Sequence, residues 1–488
     1  MSYPRLTLAS RVSFFDAGRI VLGGTPRRLS RINKPTQELM SRLRLAGTGG
    51  VELSTEDENS VAKVLIDRGL AHPLPAASLP SLPKINTTDV EIVIPTRGRV
   101  AQVARLLESL DRPNVVVIDD ASEPGDQLAD VVERYGARLI RHLVNTGPAG
   151  ARNTGIEHTR APFIAFLDSD CIASPDWPYA LLSHFEDPRV AMVASRVIHR
   201  GTASTRDTAL DRYIDDYETC HGALDAGLNP STVGPNSAIS SVPSAAIVLR
   251  RSAIEAGAFD EDLRIGEDLD LIWRLCASGW IVRHDPTTVV EHESIIQFPA
   301  WIRRRYEYGT FAGPIETRHP GKLIVTFKWW SLAMVTLAVT GHPVLALTVG
   351  VSQAANRWWS IRAVPDAVAI AATITVQEIV QEWQDISWNL RSTLWPVGAV
   401  ILLSSPVSPA ARRASVIILA PLVTDLLKHR PRSSALGHSL LDALEQAAVG
   451  TGIAVSLARS RRLGALLPRV RMPKAITQRL SPHRGFHR

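Results

Sequence analysis

Apolar positions change their spacing twice along this chain. Over roughly the first 80 residues, a size at the low end for a domain, short strand-like runs alternate with helix-spaced ones. Residues 18–24, Gly-Arg-Ile-Val-Leu-Gly-Gly, predict a short strand closed by a glycine turn. Residues 35–45 predict a helix with Leu39, Met40 and Leu43 on one face. Thr55-Glu56-Asp57-Glu58 reads as a capping box ahead of Val61, Leu65 and Ile66, and Gly69 closes that helix. Together these predict a winged-helix-like domain over residues 1–83, ending in a Pro/Ala/Ser/Leu linker over 73–83.

From Val90 the texture becomes α/β. Residues 90–94 and 115–118 are buried-type strands. Between them Val103, Leu106, Leu107 and Leu110 have helical spacing over 100–110. This is the βαβ opening of a parallel sheet with helices on its faces. Apolar runs at 139–144 and 163–167 continue the pattern, which extends over residues 88–315.

Beyond Lys328 the pattern turns apolar. Residues 329–356 form a 28-residue stretch without Asp, Glu, Lys or Arg, longer than the ~20 residues that cross a bilayer. A second uncharged stretch, 392–411, is broken by Pro396, Pro406 and Pro409, while 415–424 and 447–457 are too short to span. Residues 316–458 are therefore expected to be an apolar helical, membrane-associated region with tilted or re-entrant helices. A buried helical core with an interfacial face is the alternative, and Gly341-His342-Pro343 in mid-segment fits it.

Composition adds three limits. With 488 residues the chain is too long for one core. The net charge of +6 is unevenly spread: no acid follows Glu445, and nine Lys or Arg lie between Arg459 and Arg488. That tail, 459–488, suits an anionic lipid surface or is a solvated end. The three cysteines form neither a zinc pattern nor a disulfide framework, which places the catalytic domain in a reducing compartment on the cytoplasmic side. The N-terminus has no apolar core behind positive charge, so no signal peptide is expected.

The chemistry collects at the strand ends of the α/β region, where ligands of open sheets bind. Phe163-Ile164-Ala165-Phe166-Leu167 runs into Asp168-Ser169-Asp170. If the strand continues, the i, i+2 spacing puts both carboxylates on one face. Two hard oxygen ligands suit Mg2+ or Mn2+ beside a diphosphate; alone, the pattern is also common in turns. Pro95, Thr96 and Arg97 end the first strand and could line a base, a ribose and a phosphate. Asp119 and Asp120 end the second, as nucleoside acceptors or as turn aspartates. In Asn145-Thr146-Gly147-Pro148-Ala149-Gly150-Ala151-Arg152-Asn153, small residues allow close approach to a helix start, and Arg152 adds fixed charge. Glu267, Asp268 and Asp270 crowd the first turn of a helix; part of this suits the helix dipole, and Asp268 is the candidate general base. His292 could complete a metal site or be a hydrogen-bonded strand end. Trp301 with Arg303, Arg304, Arg305 and Tyr306 could stack on a sugar and steady a departing diphosphate.

This order of motifs over residues 90–308 resembles the inverting, family 2 glycosyltransferases of the GT-A (Rossmann-like nucleotide-sugar) fold. The resemblance implies a nucleotide-sugar site of Pro95, Thr96, Arg97, Asp119, Asp120, Gly147, Arg152, Asn153 and Asp168. It implies a Mg or Mn site of Asp168, Asp170 and His292, and catalytic Asp268 and Glu267. The Gln-x-x-Arg-Trp signature of processive polysaccharide synthases does not occur as such, so long-chain polymerisation is not expected. The whole arrangement, with its front domain and apolar basic end, resembles the mycofactocin-system glycosyltransferases. That implies UDP-glucose as donor, a premycofactocin-type acceptor, a short β-linked oligoglucoside as product, a peptide partner at the N-terminal domain, and a membrane surface. Two alternatives stay open: a membrane transferase acting on a lipid or cell-wall glycan, and a winged-helix nucleic-acid binder. Against the last, Arg and Lys of the first domain do not gather on one recognition helix, so no nucleic-acid partner is expected.

Overall fold

The computed structural model describes residues 5–472 except 75–86, 111–113, 124–126, 202–207, 236, 255–256, 430 and 432–433. The chain forms two compact units, Met1–Arg304 with Pro431–Leu441, and Arg305–Arg430 with Asp442–Arg488.

The first unit opens with β1 (Arg5–Leu8), β2 (Ser13–Phe15), β3 (Ile20–Gly23), β4 (Arg28–Arg31), α1 (Lys34–Ala46), β5 (Val51–Glu52), α2 (Glu56–Asp67) and β6 (Ala71–Leu74). They form two three-stranded sheets, β5-β1-β6 and β2-β3-β4. Leu39, Met40 and Leu43 of α1 meet Leu6, Val21 and Leu65 in one core. Asn33 caps α1 and Thr55 caps α2. The expected capping box is only half formed, because the Glu58 carboxylate accepts from the Ser54 N–H instead of that of Thr55. The expected linker also starts later: Pro73 and Leu74 pair with β1, and the rest of it, 75–83, lies outside the described residues. Arg189 joins this module to the α/β domain by pairing with Asp67 at 2.8 Å. Burial and the nearby charges of Arg283 and His184 push His72 down to about 4.

The α/β domain contains β7 (Val90–Thr96), α3 (Val100–Leu110), β8 (Val115–Asp119), α4 (Leu128–Arg134), β9 (Arg138–Arg141), α5 (Gly147–Glu157), β10 (Phe163–Leu167), β11 (Cys171–Ile172), α6 (Trp177–Ala180), β12 (Val190–His199), α7 (Ala209–His221), β13 (Ser231–Val233), β14 (Ala246–Arg250), α8 (Glu267–Ala277), β15 (Ile281–His292) and α9 (Phe298–Gly309). Its nine-stranded sheet runs β11-β15-β12-β14-β10-β7-β8-β9, with β13 on β15. Strands β10, β7, β8 and β9 are mutually parallel, and β14 runs against β10. The four parallel strands therefore end on one edge. α5 packs so closely on this sheet that a Cβ on Gly155 would lie 2.2 Å from Val93 Cγ1. The expected apolar run 139–144 stops as strand at Arg141, leaving Leu143 and Val144 exposed. Trp301 is buried beside Tyr217 and Leu441, and its indole N–H donates to Glu218 at 2.7 Å, so it is a core residue and not a sugar platform.

The second unit contains α10 (Ala312–Arg318), β16 (Thr326–Lys328), α11 (Trp329–Thr340), α12 (Pro343–Ile361), α13 (Ala367–Arg391), α14 (Trp395–Ser404), α15 (Pro409–His429), α16 (Ala435–Arg459, which begins in the first unit) and β17 (Arg469–Arg471). The uncharged 329–356 stretch is not one span. Gly341, at φ +94°, ends α11, and Pro343 starts α12. Likewise 392–411 forms only the ten-residue α14 and the start of α15. Residues 447–457 belong to the 25-residue α16, the one helix among the described residues long and apolar enough to cross a bilayer. It gives a weak indication of membrane association. Of the basic tail, residues 473–488 lie outside the described residues.

Candidate active site

The sheet edge defined by β7, β8 and β10 gathers most of the expected residues, but not in equal roles. Strand β10 ends at Leu167, where the Asp168 N–H donates to Ala245 O at 3.0 Å. Asp168, Ser169 and Asp170 then turn, closed by the Cys171 N–H donating to Asp168 O at 3.0 Å. The two carboxylates therefore do not share a strand face. Asp168 Oδ1 accepts from Arg152 Nη2 at 2.7 Å. Asp170 Oδ2 pairs with Arg99, and its buried Oδ1 makes no hydrogen bond and lies 3.4 Å from His292 Nε2. Burial opposes ionisation of Asp170, but His292 and Arg99 hold its carboxyl below the usual range. Burial pulls His292 down, and the Asp170 carboxylate more than offsets that. His292 is brought there by pairing with Cys171 in the neighbouring strand. Cys171 is a buried thiol pushed up by desolvation, which fits a structural role.

Arg152 is the hinge of this edge. Its guanidinium is buried and bridges Asp168 to Glu267, whose Oε1 accepts from Nη1 at 2.8 Å. Burial alone would lower the Arg152 pKa, but the charges of Asp168 and Glu267 raise it. Its Nε–H is buried without a partner. Next to Glu267, Asp268 stands in the first turn of α8 after Gly266, which takes φ +90°. Desolvation and the Glu267 charge push its carboxyl up to about 7, against an accepted hydrogen bond from the Leu269 N–H at 2.7 Å. A half-buried carboxylate tuned near neutrality at a helix start has the property required of a proton acceptor.

Four of the expected ligand contacts are instead spent on the protein. Both Asp120 oxygens hold the loop before α5, accepting from Thr146 N at 2.7 Å, Gly147 N at 2.8 Å and His142 Nδ1 at 3.0 Å. Burial raises the Asp120 pKa, but these bonds hold it below the usual range. The Gly147 N–H is thereby committed and cannot face a phosphate. The Asn153 amide is also fully engaged: Nδ2 donates to Phe259 O and Glu261, and Oδ1 accepts from Phe259 N. It ties α5 to the loop leading into α8. Asp119 is fully buried, paired with Arg141 at 2.6 Å and accepting from the Ser122 N–H. Thr96 is different. Its hydroxyl is buried at the strand end without a partner, a group left for a ligand. Pro95 is half-buried beside it and Arg97 is exposed. Arg99, not among the expected site residues, reaches Asp170.

The donor set fits a hard divalent cation. The buried Asp170 Oδ1 and the part-exposed Asp168 carboxylate offer hard oxygen donors on one turn. Among the described residues, however, Asp168, Asp170 and His292 do not bring three ligand atoms within 4.8 Å of one another.

A family model for "Glycosyl transferase family 2" matches residues 91–252, the stretch that carries this strand edge. The pre-mycofactocin glycosyltransferase of Mycobacterium tuberculosis is 32% identical over 481 residues, covering 94% of this chain and 96% of that protein. The chain belongs to glycosyl transferase family 2. It is a hexosyltransferase by family, with an α/β domain of GT-A type. This family 2 enzyme is also 23% identical over 182 residues to the poly-beta-1,6-N-acetyl-D-glucosamine synthase of Staphylococcus aureus, over 36% of the chain and 42% of that protein. Among solved structures, a mannosyltransferase from Pyrobaculum calidifontis in complex with GDP-Man and Mn2+ matches with a TM-score of 0.36 and 18% identity, covering 70% of this chain and 87% of that one.

Proposed function

We propose that the enzyme transfers glucose from UDP-glucose to a hydroxyl of pre-mycofactocin, building a short β-linked oligoglucoside. The observation that carries the acceptor is the end-to-end similarity to the Mycobacterium tuberculosis pre-mycofactocin glycosyltransferase, which includes the N-terminal module and the second unit as well as the catalytic domain. For the chemistry, support comes from the strand edge. Thr96, Pro95 and Arg97 would line the nucleoside side, with Asp119 and Asp120 holding the adjoining loops. Arg152 fixes Asp168 and Glu267, so the donor's diphosphate meets a preset charge pattern.

Asp168 and Asp170 would hold a Mg2+ or Mn2+ ion, with His292 steadying Asp170. Such an ion supplies positive charge to a diphosphate leaving group. Asp268 removes the proton from the acceptor hydroxyl as that oxygen attacks the anomeric carbon opposite the leaving group. One displacement inverts that carbon, so an α-linked donor yields a β-linked product. The N-terminal module serves as a winged-helix-like peptide-recognition domain, and α16 with the basic tail favours a membrane surface with the catalytic domain on the cytoplasmic side. The test is mass spectrometry of products from UDP-glucose with premycofactocin and, in parallel, with membrane lipid extracts. Hexose additions to premycofactocin are expected; hexose additions only to the lipid extract would overturn the acceptor assignment.

A further inference from the structure

We infer that Arg99 and Arg152 keep the cation site closed, so that the divalent ion enters only together with a nucleoside diphosphate, with Arg99 as the gate. The inference rests on Asp168 and Asp170 being the ion's ligands, as proposed above.

Charge balance is the starting point. Four acids collect at this edge: Asp168, Asp170 and Glu267, with Asp268 beside Glu267 as a fourth whose ionisation the site resists. Two guanidiniums already answer them, Arg152 on Asp168 and Glu267, and Arg99 on Asp170. His292 adds a further donor beside Asp170. A bare dication approaching this set meets cations already in place, and it gains its ligands only by displacing one of them. The geometry agrees, since the ligand atoms of Asp168, Asp170 and His292 are not gathered into one cluster.

The two arginines differ in what they can do. Arg152 is buried, with 4% of its side chain exposed, stacks over Phe259 at 5.5 Å, and is tied at both ends. Moving it would leave Glu267 unpaired inside the protein, which is costly. Arg99 sits on the loop after β7 with 44% of its side chain exposed, so it can leave Asp170 without opening the core. A diphosphate provides the reason to leave. Its oxygens accept guanidinium hydrogen bonds as well as a carboxylate does. Once Arg99 turns to phosphate, Asp170 Oδ2 is released for the ion beside Oδ1, which faces the His292 ring at 3.4 Å. Arg99 is thus a positioning residue that couples nucleotide to metal. By linkage, the nucleotide raises ion affinity by the same factor as the ion raises nucleotide affinity, and couplings of this kind run on the order of 5–150-fold.

The experiment measures Mn2+ binding to the full chain by electron paramagnetic resonance, first with Mn2+ alone and then with UDP present. Wild type should bind Mn2+ weakly alone and at least about tenfold more tightly with UDP. Arg99→Ala should bind Mn2+ alone about tenfold more tightly than wild type and lose most of the UDP effect. Arg99→Lys should restore weak binding of Mn2+ alone. Equal Mn2+ affinity in wild type and Arg99→Ala, both without nucleotide, would overturn the gate. So would wild-type Mn2+ binding that UDP does not change. Asp170→Ala separates this from the ligand assignment: if it binds Mn2+ with UDP as wild type does, the assignment itself fails. Thermal unfolding of each variant checks that the loop change leaves the fold intact, and Arg99's exposure makes that the expected result.

Discussion

Asp268→Asn isolates the proposed proton acceptor, because it keeps the shape and the hydrogen bond from the Leu269 N–H while removing the charge. Two consequences follow. The first is loss of turnover: general-base contributions are typically 10²–10⁴-fold, and kcat should fall by about that much with donor binding retained. The second is a gain in stability whose sign is fixed. The Asp268 carboxyl titrates at about 7 in the fold, against an ordinary value of 3.8. Between those values the folded chain holds a proton that the unfolded chain has released, so wild-type stability falls as pH rises through that window. The full loss is on the order of 4 kcal/mol above about pH 7, and it vanishes below about pH 4. An asparagine has nothing to ionise, so the variant should unfold at a higher temperature than wild type near pH 8. Near pH 4 the two should coincide. Wild-type kcat/KM should rise with pH through about 7. The assay pairs a UDP-release measurement with thermal unfolding across pH. Wild-type-like turnover in the variant would move the base elsewhere, and a variant with no pH-dependent gain in stability would refute the buried, raised carboxyl.

Arg152→Ala should lower stability by about 3–5 kcal/mol, because it strands Glu267 and Asp168 without their cation; urea unfolding checks it. Gly155→Ala drives a methyl against Val93 where the gap to Cγ1 is 2.2 Å, so a loss of about 1–3 kcal/mol is expected in the same assay. The full chain should float with vesicles containing anionic lipid and detach at high salt if the basic tail provides the contact; flotation unaffected by salt would assign the binding to apolar helices instead.

The elements set by local period were legible in the sequence. α3 spans the residues that its Val103, Leu106, Leu107 and Leu110 spacing demands, and β7 and β8 lie where unbroken apolar runs put them. Features set by distant partners were not. The end of β10 is fixed by Ala245, which belongs to the approach to β14, so the turn at Asp168–Asp170 could not be read from its own residues. The length of α16 was hidden by its acids. Asp442 and Glu445 interrupt the apolar pattern, yet each is paired in the fold, with Arg391 at 2.5 Å and with Arg305 at 3.3 Å. Trp301 looked like a ligand platform because its neighbours are arginines; its burial depends on α7, some eighty positions earlier in the chain.

The acidic residues of the strand edge looked alike in sequence, and the fold separates them by the kind of partner each has. Asp120 accepts from backbone N–H groups of Thr146 and Gly147, and the Asn153 amide is held by Phe259 N and O. A backbone donor cannot turn away without unfolding its loop, so groups satisfied in this way are fixed parts of the scaffold. Asp168 and Asp170 are satisfied by side chains, and Asp170 by an arginine with much of its surface in solvent. Such a partner can be exchanged for a ligand without opening a loop, provided the ligand or ion then answers the buried Asp170 carboxylate. Asp268 accepts backbone hydrogen bonds from Leu269, at 2.7 Å within the first turn of α8, and from Ser244, yet it carries a charge that the site resists. Scaffold and proposed cation ligands are therefore distinguished by how easily the partner of each carboxylate can be displaced, and the proposed proton acceptor by a charge its surroundings resist, properties that residue type and spacing do not encode.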